Sequence, residues 1–127
     1  ELNRNKRPVH TIIPAMISNS DKLIGSFGVM GGQYQAAGHA YVLSQMIDFG
    51  LNPQLALNYP RIFPNNNILD IEKGFDKEVI NELKLRGHAI NYPSLPIGGG
   101  QMILMDEESD ILIGASDWRK DGLAIGY

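Results

Sequence analysis

Two glycines stand side by side in "SFGVMGGQYQAAGHAYV", residues 26–42, between an apolar run and a helical pattern. Consecutive backbone N–H groups at such a junction can form a concave anion site. Beside a nucleophile, the same groups would stabilise the oxyanion of an acyl-transfer reaction. Gly31 and Gly32 are therefore candidates for that role, and a plain steric turn is the competing reading. They do not form a phosphate loop, because the Lys and Ser/Thr of that motif are missing.

Other reactive types are scattered. His10 and Thr11 are a base and a hydroxyl in adjacent positions. Neighbours on a strand point to opposite faces, so one of them lining a pocket fits better than a working pair. His39 lies within a helical pattern and His88 follows Gly87. With no HxH or HxxxH spacing, three such histidines make a poor argument for a metal site. Asp106, Glu107, Glu108 and Asp110 read as a solvated turn, with weak cation binding the lesser reading. Asp117, Arg119, Asp121 and Gly122 form "DWRKDG", read as an ion pair tying down the tail or as part of a pocket.

The elements that must position these residues can be read from periodicity. "TIIPAMI", Thr11–Ile17, is β-branched at its start and reads as a strand, with Pro14 placing it at an edge or a bulge. Lys22–Met30 is a second strand, and the pair reads as a hairpin. Gln35–Phe49 is the clearest helix, with Ala36, Ala40, Leu43 and Ile47 along one face and Gly50 as its stop. "NPQLALNYP" is a short helix capped by Asn52, with Pro53 at its first position and Pro60 ending it. "RIFPNNN" reads as a loop and Ile68–Ile71 as a short strand. Asp76–Arg86 is an amphipathic helix carrying Val79, Ile80 and Leu83, closed by Gly87. Ala89–Tyr92 is a strand. Gln101–Met105 and Ile111–Gly114 flank the acidic turn as a hairpin, and their continuous apolar character predicts burial on both faces. The fold class is α+β: antiparallel strands with helices packed on them, in one domain over residues 1–127.

Composition sets outer bounds. The 127 residues are 43% hydrophobic, enough for one core. A net charge of -3 gives no electrostatic footprint for nucleic acid or an anionic membrane. With no cysteine there is neither a disulfide nor a thiolate metal site. No apolar run reaches the roughly 20 residues of a membrane span. The opening "ELNRNKRPVH" reads as the middle of a longer protein.

Three stretches taken together resemble a known family. "KRPVHTIIPAMI", "GSFGVMGGQYQAAGHAYVLSQMIDFGLNPQLALNYPRI" and "GASDWRKDGLAIGY" resemble the C-terminal part of the small subunit of gamma-glutamyltranspeptidases. The "RPVHTIIP" and "GVMGGQYQAAGH" variants look most like the branch that includes cephalosporin-acylase-like members. The resemblance implies part of an αββα sandwich of the N-terminal nucleophile (Ntn) hydrolases. It implies a precursor that cuts itself into a large and a small subunit. The new N-terminal Thr then attacks a gamma-glutamyl amide, with its own α-amino group as general base. The acyl group passes to water or to an amine.

By the same resemblance, Gly31 and Gly32 supply the oxyanion-hole N–H groups. His10 and Thr11 occupy the place of two serines that hold the gamma-glutamyl group in typical transpeptidases. That replacement makes a different acyl group plausible. No Thr precedes Pro8 in this sequence, so the nucleophile is expected upstream of it and this stretch alone is expected to be inactive. The implied partners are an acyl-amide substrate and the large subunit of the same precursor. No cofactor or metal is implied. A half-sandwich would expose an apolar sheet face, so a homodimer is a further expectation. The alternative reading is a non-catalytic relative that binds an anion or peptide on the same fold.

Overall fold

The computed structural model describes residues 1–127. Seven strands and three α-helices follow the order ββααββαβββ: β1 Pro14–Asn19, β2 Lys22–Met30, α1 Tyr34–Ile47, α2 Pro53–Asn58, β3 Ile62–Asn65, β4 Ile68–Ile71, α3 Lys77–Leu85, β5 Ala89–Asn91, β6 Gly99–Asp106 and β7 Ile111–Ser116. A 3₁₀ turn at Trp118–Lys120 is the last regular element. No helix is long and apolar enough to cross a membrane.

The main sheet is antiparallel throughout, in the order β1-β2-β6-β7. One face is dry. Phe27 and Val29 of β2, Met102 of β6 and Ala115 of β7 meet Val42 of α1 and Leu57 of α2 in a single core cluster. Gly38 lets α1 settle onto β2, since a Cβ there would come 2.6 Å from the Val29 side chain. Burying each large apolar side chain in this layer stabilises it by roughly 1.5–3 kcal/mol. The arrangement is one helical layer on one sheet.

Several expectations need correction. Thr11–Ile13 is not strand: β1 starts at Pro14, which pairs with Gly28, and the chain before it leaves the ladder. Pro has no N–H to give a ladder, so a strand that begins on it at a sheet edge is physically consistent. The line of Ala36, Ala40, Leu43 and Ile47 is not the buried face of α1: Leu43 packs against the core, but Ala36, Ala40 and Ile47 are exposed. The buried face carries Tyr34, Gly38, His39, Val42 and Gln45, because the aromatic ring and Val42 fill the space above the sheet better than alanines. Nor are β6 and β7 buried on both faces. Ile103, Met105 and Leu112 lie 52%, 40% and 65% exposed, so the face away from the helices is apolar and uncovered.

"RIFPNNN" is not a loop, since it contains β3 and the turn to β4. Asn66 and Asn67 have φ of 49° and 63° and close a two-residue hairpin, the conformation Asn tolerates best after Gly. Pro64 fits because β3 is an edge strand of the smaller sheet, ordered β3-β4-β5. In that sheet β3 and β4 are antiparallel, but β5 runs parallel to β4, with α3 as the crossover, so the antiparallel expectation fails for the β4–β5 pair alone. The short helix behaves as its sequence implies: Asn52 Oδ1 accepts from Leu55 N–H at 2.8 Å.

Candidate active site

A groove of about 720 Å³ opens where the chain ahead of β1 crosses the end of β2. Thr11 stands on one wall, Gly31 and Gly32 on another, with Gln35 of α1 between them and Gln101 of β6 in the floor. The rest of the lining is mainly apolar, including Ile12, Ile13, Met30 and Ile103, and no ionisable side chain belongs to it. The structure therefore brings Thr11, Gly31 and Gly32 to one place. His10, the next residue back, is exposed and is not part of the lining.

The Gly31-Gly32 turn is built for exposed donors. Gly31 has φ of 135° and Gly32 of 59°, followed by right-handed Gln33 at -65°. A left-handed residue before a right-handed one curls successive N–H groups toward one side. Their carbonyls are used: Tyr34 N–H donates to Gly31 O at 3.1 Å, and Gln35 N–H to Gly32 O at 3.2 Å. The N–H groups of Gly31, Gly32 and Gln33 donate to nothing within the chain. At the mouth of α1 they can serve a negative oxygen in the groove.

His39 is a buried structural residue. Its Nδ1–H donates to Gln35 O at 2.7 Å, and its Nε2 accepts Val29 N–H at 3.3 Å. This pattern requires the neutral Nδ1–H tautomer. The ring lies against Phe27, centroids 5.0 Å apart. His88 is exposed and forms no part of the groove's lining. No group of three or more His, Asp or Glu side chains gathers to hold a metal ion.

Behind the turn lies a buried ionic network. Arg61 and Asp117 are wholly buried and meet at 2.6 Å. Asp117 also accepts from Gly100 N–H at 2.9 Å and from Arg119 Nη1 at 3.2 Å. Arg119 pairs with Glu72 at 2.5 Å and donates to the carbonyls of Leu57 and Tyr59 at the end of α2. Glu72 in turn takes the N–H groups of Arg61 and Ile97. Two cations face two anions, so the burial leaves no net charge, the condition under which buried ions are tolerated. Burial alone would raise the Glu72 carboxyl, but hydrogen bonds from Arg119 and Ile97 outweigh it and hold it below the usual carboxylate range. Burial also pushes the Tyr34 phenol, packed over Arg61, up to about 12.

This network reaches the site through Ile97 and Gly98. Arg61 Nη1 holds Ile97 O at 2.7 Å, and Gly98 packs against the backbone of Met30 and Gly31. The ion-pair reading of "DWRKDG" is thus right for Asp117 and Arg119. Their partners, Arg61 and Glu72, carry no sequence signal, since a buried arginine after Pro60 looks like any loop arginine. Gln35 is equally silent in the sequence, since its bond to Thr11 O spans 24 residues.

Comparison with known proteins agrees over the whole chain. The family model described as gamma-glutamyltranspeptidase matches residues 1–127. The chain is 33% identical over 135 residues to the glutathione hydrolase-like YwrD proenzyme of Bacillus subtilis, covering 98% of this chain and 25% of that protein. It superposes on cephalosporin acylase from Bacillus halodurans with a TM-score of 0.84 and 39% identity, covering 99% of this chain and 25% of that one. A gamma-glutamyltranspeptidase from Pseudomonas nitroreducens has the same fold, with a TM-score of 0.81 at 21% identity, over 99% of this chain and 66% of that one. The chain spans about a quarter of the length of the curated relatives it matches.

Proposed function

The chain belongs to the gamma-glutamyltranspeptidase family, and on that premise we propose that it is the C-terminal portion of the small subunit of an acyl-amide hydrolase or acyltransferase. The nucleophile in this reading is an N-terminal threonine outside residues 1–127, released when the precursor cuts itself. It attacks the amide carbon, its α-amino group takes the hydroxyl proton, and the amine leaves with a proton from that group. The resulting acyl ester is opened by water or by an acceptor amine.

The observation that carries this reading is the row of unengaged N–H groups at Gly31 and Gly32, lining the groove that Thr11 also lines. Fixed donors of this kind lower the barrier because they need no reorganisation as charge builds on the carbonyl oxygen. Thr11 borders the acyl group and His10 its approach. The lining favours an acyl chain with an apolar body, and any charge on that chain would have to be met by residues outside this stretch. The large subunit of the same precursor is the partner. Its natural place is the bare sheet face around Ile103, Met105 and Leu112, which a second sheet would cover.

The test is direct. Full-length precursor is expected to self-cleave before a Thr and to release amine from a gamma-glutamyl anilide or another acyl anilide. A precursor that stays whole and releases no amine from any of them contradicts the reading and favours a binding module on the same fold.

A further inference from the structure

On the reading that Gly31 and Gly32 hold an oxyanion, we propose that Gln35 is a positioning residue, setting the spacing between the acyl pocket at Thr11 and the oxyanion turn. Its side-chain Nε2 donates to Thr11 O at 2.8 Å and to Gly32 O at 3.2 Å. An amide NH₂ has two protons, and both are spent on these carbonyls. The same residue's backbone N–H also reaches Gly32 O, so Gly32 is gripped from two points.

No other hydrogen bond joins these walls. The β1–β2 ladder ends at the Pro14–Gly28 pair, and Thr11–Ile13 runs on without strand partners. Two adjacent glycines have the widest backbone freedom of any dipeptide. A peptide unit is planar, so fixing the Gly32 carbonyl also fixes the direction of the Gln33 N–H and restrains Gly32 itself. Gln35 is held in turn. His39, one helical turn on, donates to its carbonyl and accepts from Val29 of β2. A chain of hydrogen bonds therefore runs from β2 through His39 and Gln35 to both walls of the groove.

The experiment uses the full-length protein with Gln35→Met and Gln35→Glu, which keep the side chain's length and remove both donors. With wild type turning over an acyl anilide, kcat in each variant is expected to fall about 10- to 100-fold, because a misplaced donor costs rate and not binding. KM is expected to move less than about three-fold, the split that marks an interaction made in the transition state. A purely structural role would lower Tm and spare the kcat of the folded fraction. Values of kcat within about three-fold of wild type in both variants overturn the proposal. A second readout does not need catalysis: amide hydrogen exchange at residues 34 and 35, whose N–H groups bond the carbonyls of Gly31 and Gly32, is expected to accelerate in Gln35→Met, and unchanged exchange overturns the clamp. An inactive wild type whose exchange still accelerates in the variant contradicts the acyl-transfer reading and leaves the clamp standing.

Discussion

Gly31 and Gly98 pack backbone against backbone: a Cβ on Gly31 would lie 2.9 Å from the Gly98 Cα. Gly98 itself has φ of 65°, and a Cβ there would collide with Met30 O. Neither obstacle is a flexible side chain that could swing away. The turn that presents the free N–H groups is therefore wedged against the segment leading into β6. Gly32 differs, for it has φ of 59° and open space where a Cβ would go.

A contrast between two alanine variants follows from that geometry. Gly98→Ala is expected to destabilise the full-length protein by about 2 kcal/mol or more, combining left-handed strain with a backbone clash. Gly32→Ala carries the strain alone, about 1–2 kcal/mol. Denaturant midpoints measure both. Equal losses would mean that Gly98 is not the wedge.

The buried network is expected to matter in proportion to its isolation from water. Asp117→Ala leaves Arg61, fully buried, without its carboxylate, and a broken buried pair costs about 3–5 kcal/mol. The double variant Arg61→Met, Asp117→Ala should lose less than Asp117→Ala alone, because no uncompensated charge remains. Thermal unfolding of wild type and the two variants decides it, and a double variant less stable than Asp117→Ala would argue against a charge-pairing account.

Acid should loosen the same region. The Glu72 carboxyl is held below its ordinary value in the folded protein. A depressed folded value means that the carboxylate contributes its full stabilisation above about pH 4.5, the value of an unperturbed Glu. That contribution is lost as pH falls through the lower folded value. Glu72→Gln is expected to be less stable at neutral pH, with a shallower decline of Tm in acid than wild type. Parallel pH curves for the two proteins would show that Glu72 is not the linked group.

How far the sequence could be read depends on whether an element's signal is local. Strands β2 and β4 have the bounds their apolar runs imply, and α2 starts where Asn52 and Pro53 place it. These are decided by cap and turn chemistry within a few residues. The hidden strand β3 was masked by Pro64, although Asn66-Asn67 is a hairpin signal of the kind that could have revealed it. The face of α1 was lost because alanine spacing says nothing about which side meets a sheet, and Tyr34 decides that through contact with Phe63 and Gly98. At the site, Gly31-Gly32 was legible as a donor pair. Thr11 lines the groove from the segment before β1, although its β-branched run reads as strand. Arg61, Glu72 and Gln35 depend on contacts far along the chain, which no local pattern encodes.

The central claim concerns where a negative oxygen sits. A crystal structure of the self-cleaved full-length protein with an acyl-mimicking boronic acid tests it most directly, since boron forms a tetrahedral adduct with a hydroxyl nucleophile. The expected result is a boronate oxygen at about 2.7–3.1 Å from the backbone nitrogens of Gly31 and Gly32, with the acyl-like chain beside Thr11. An adduct whose oxygens bind elsewhere, leaving both N–H groups without an acceptor, would contradict it.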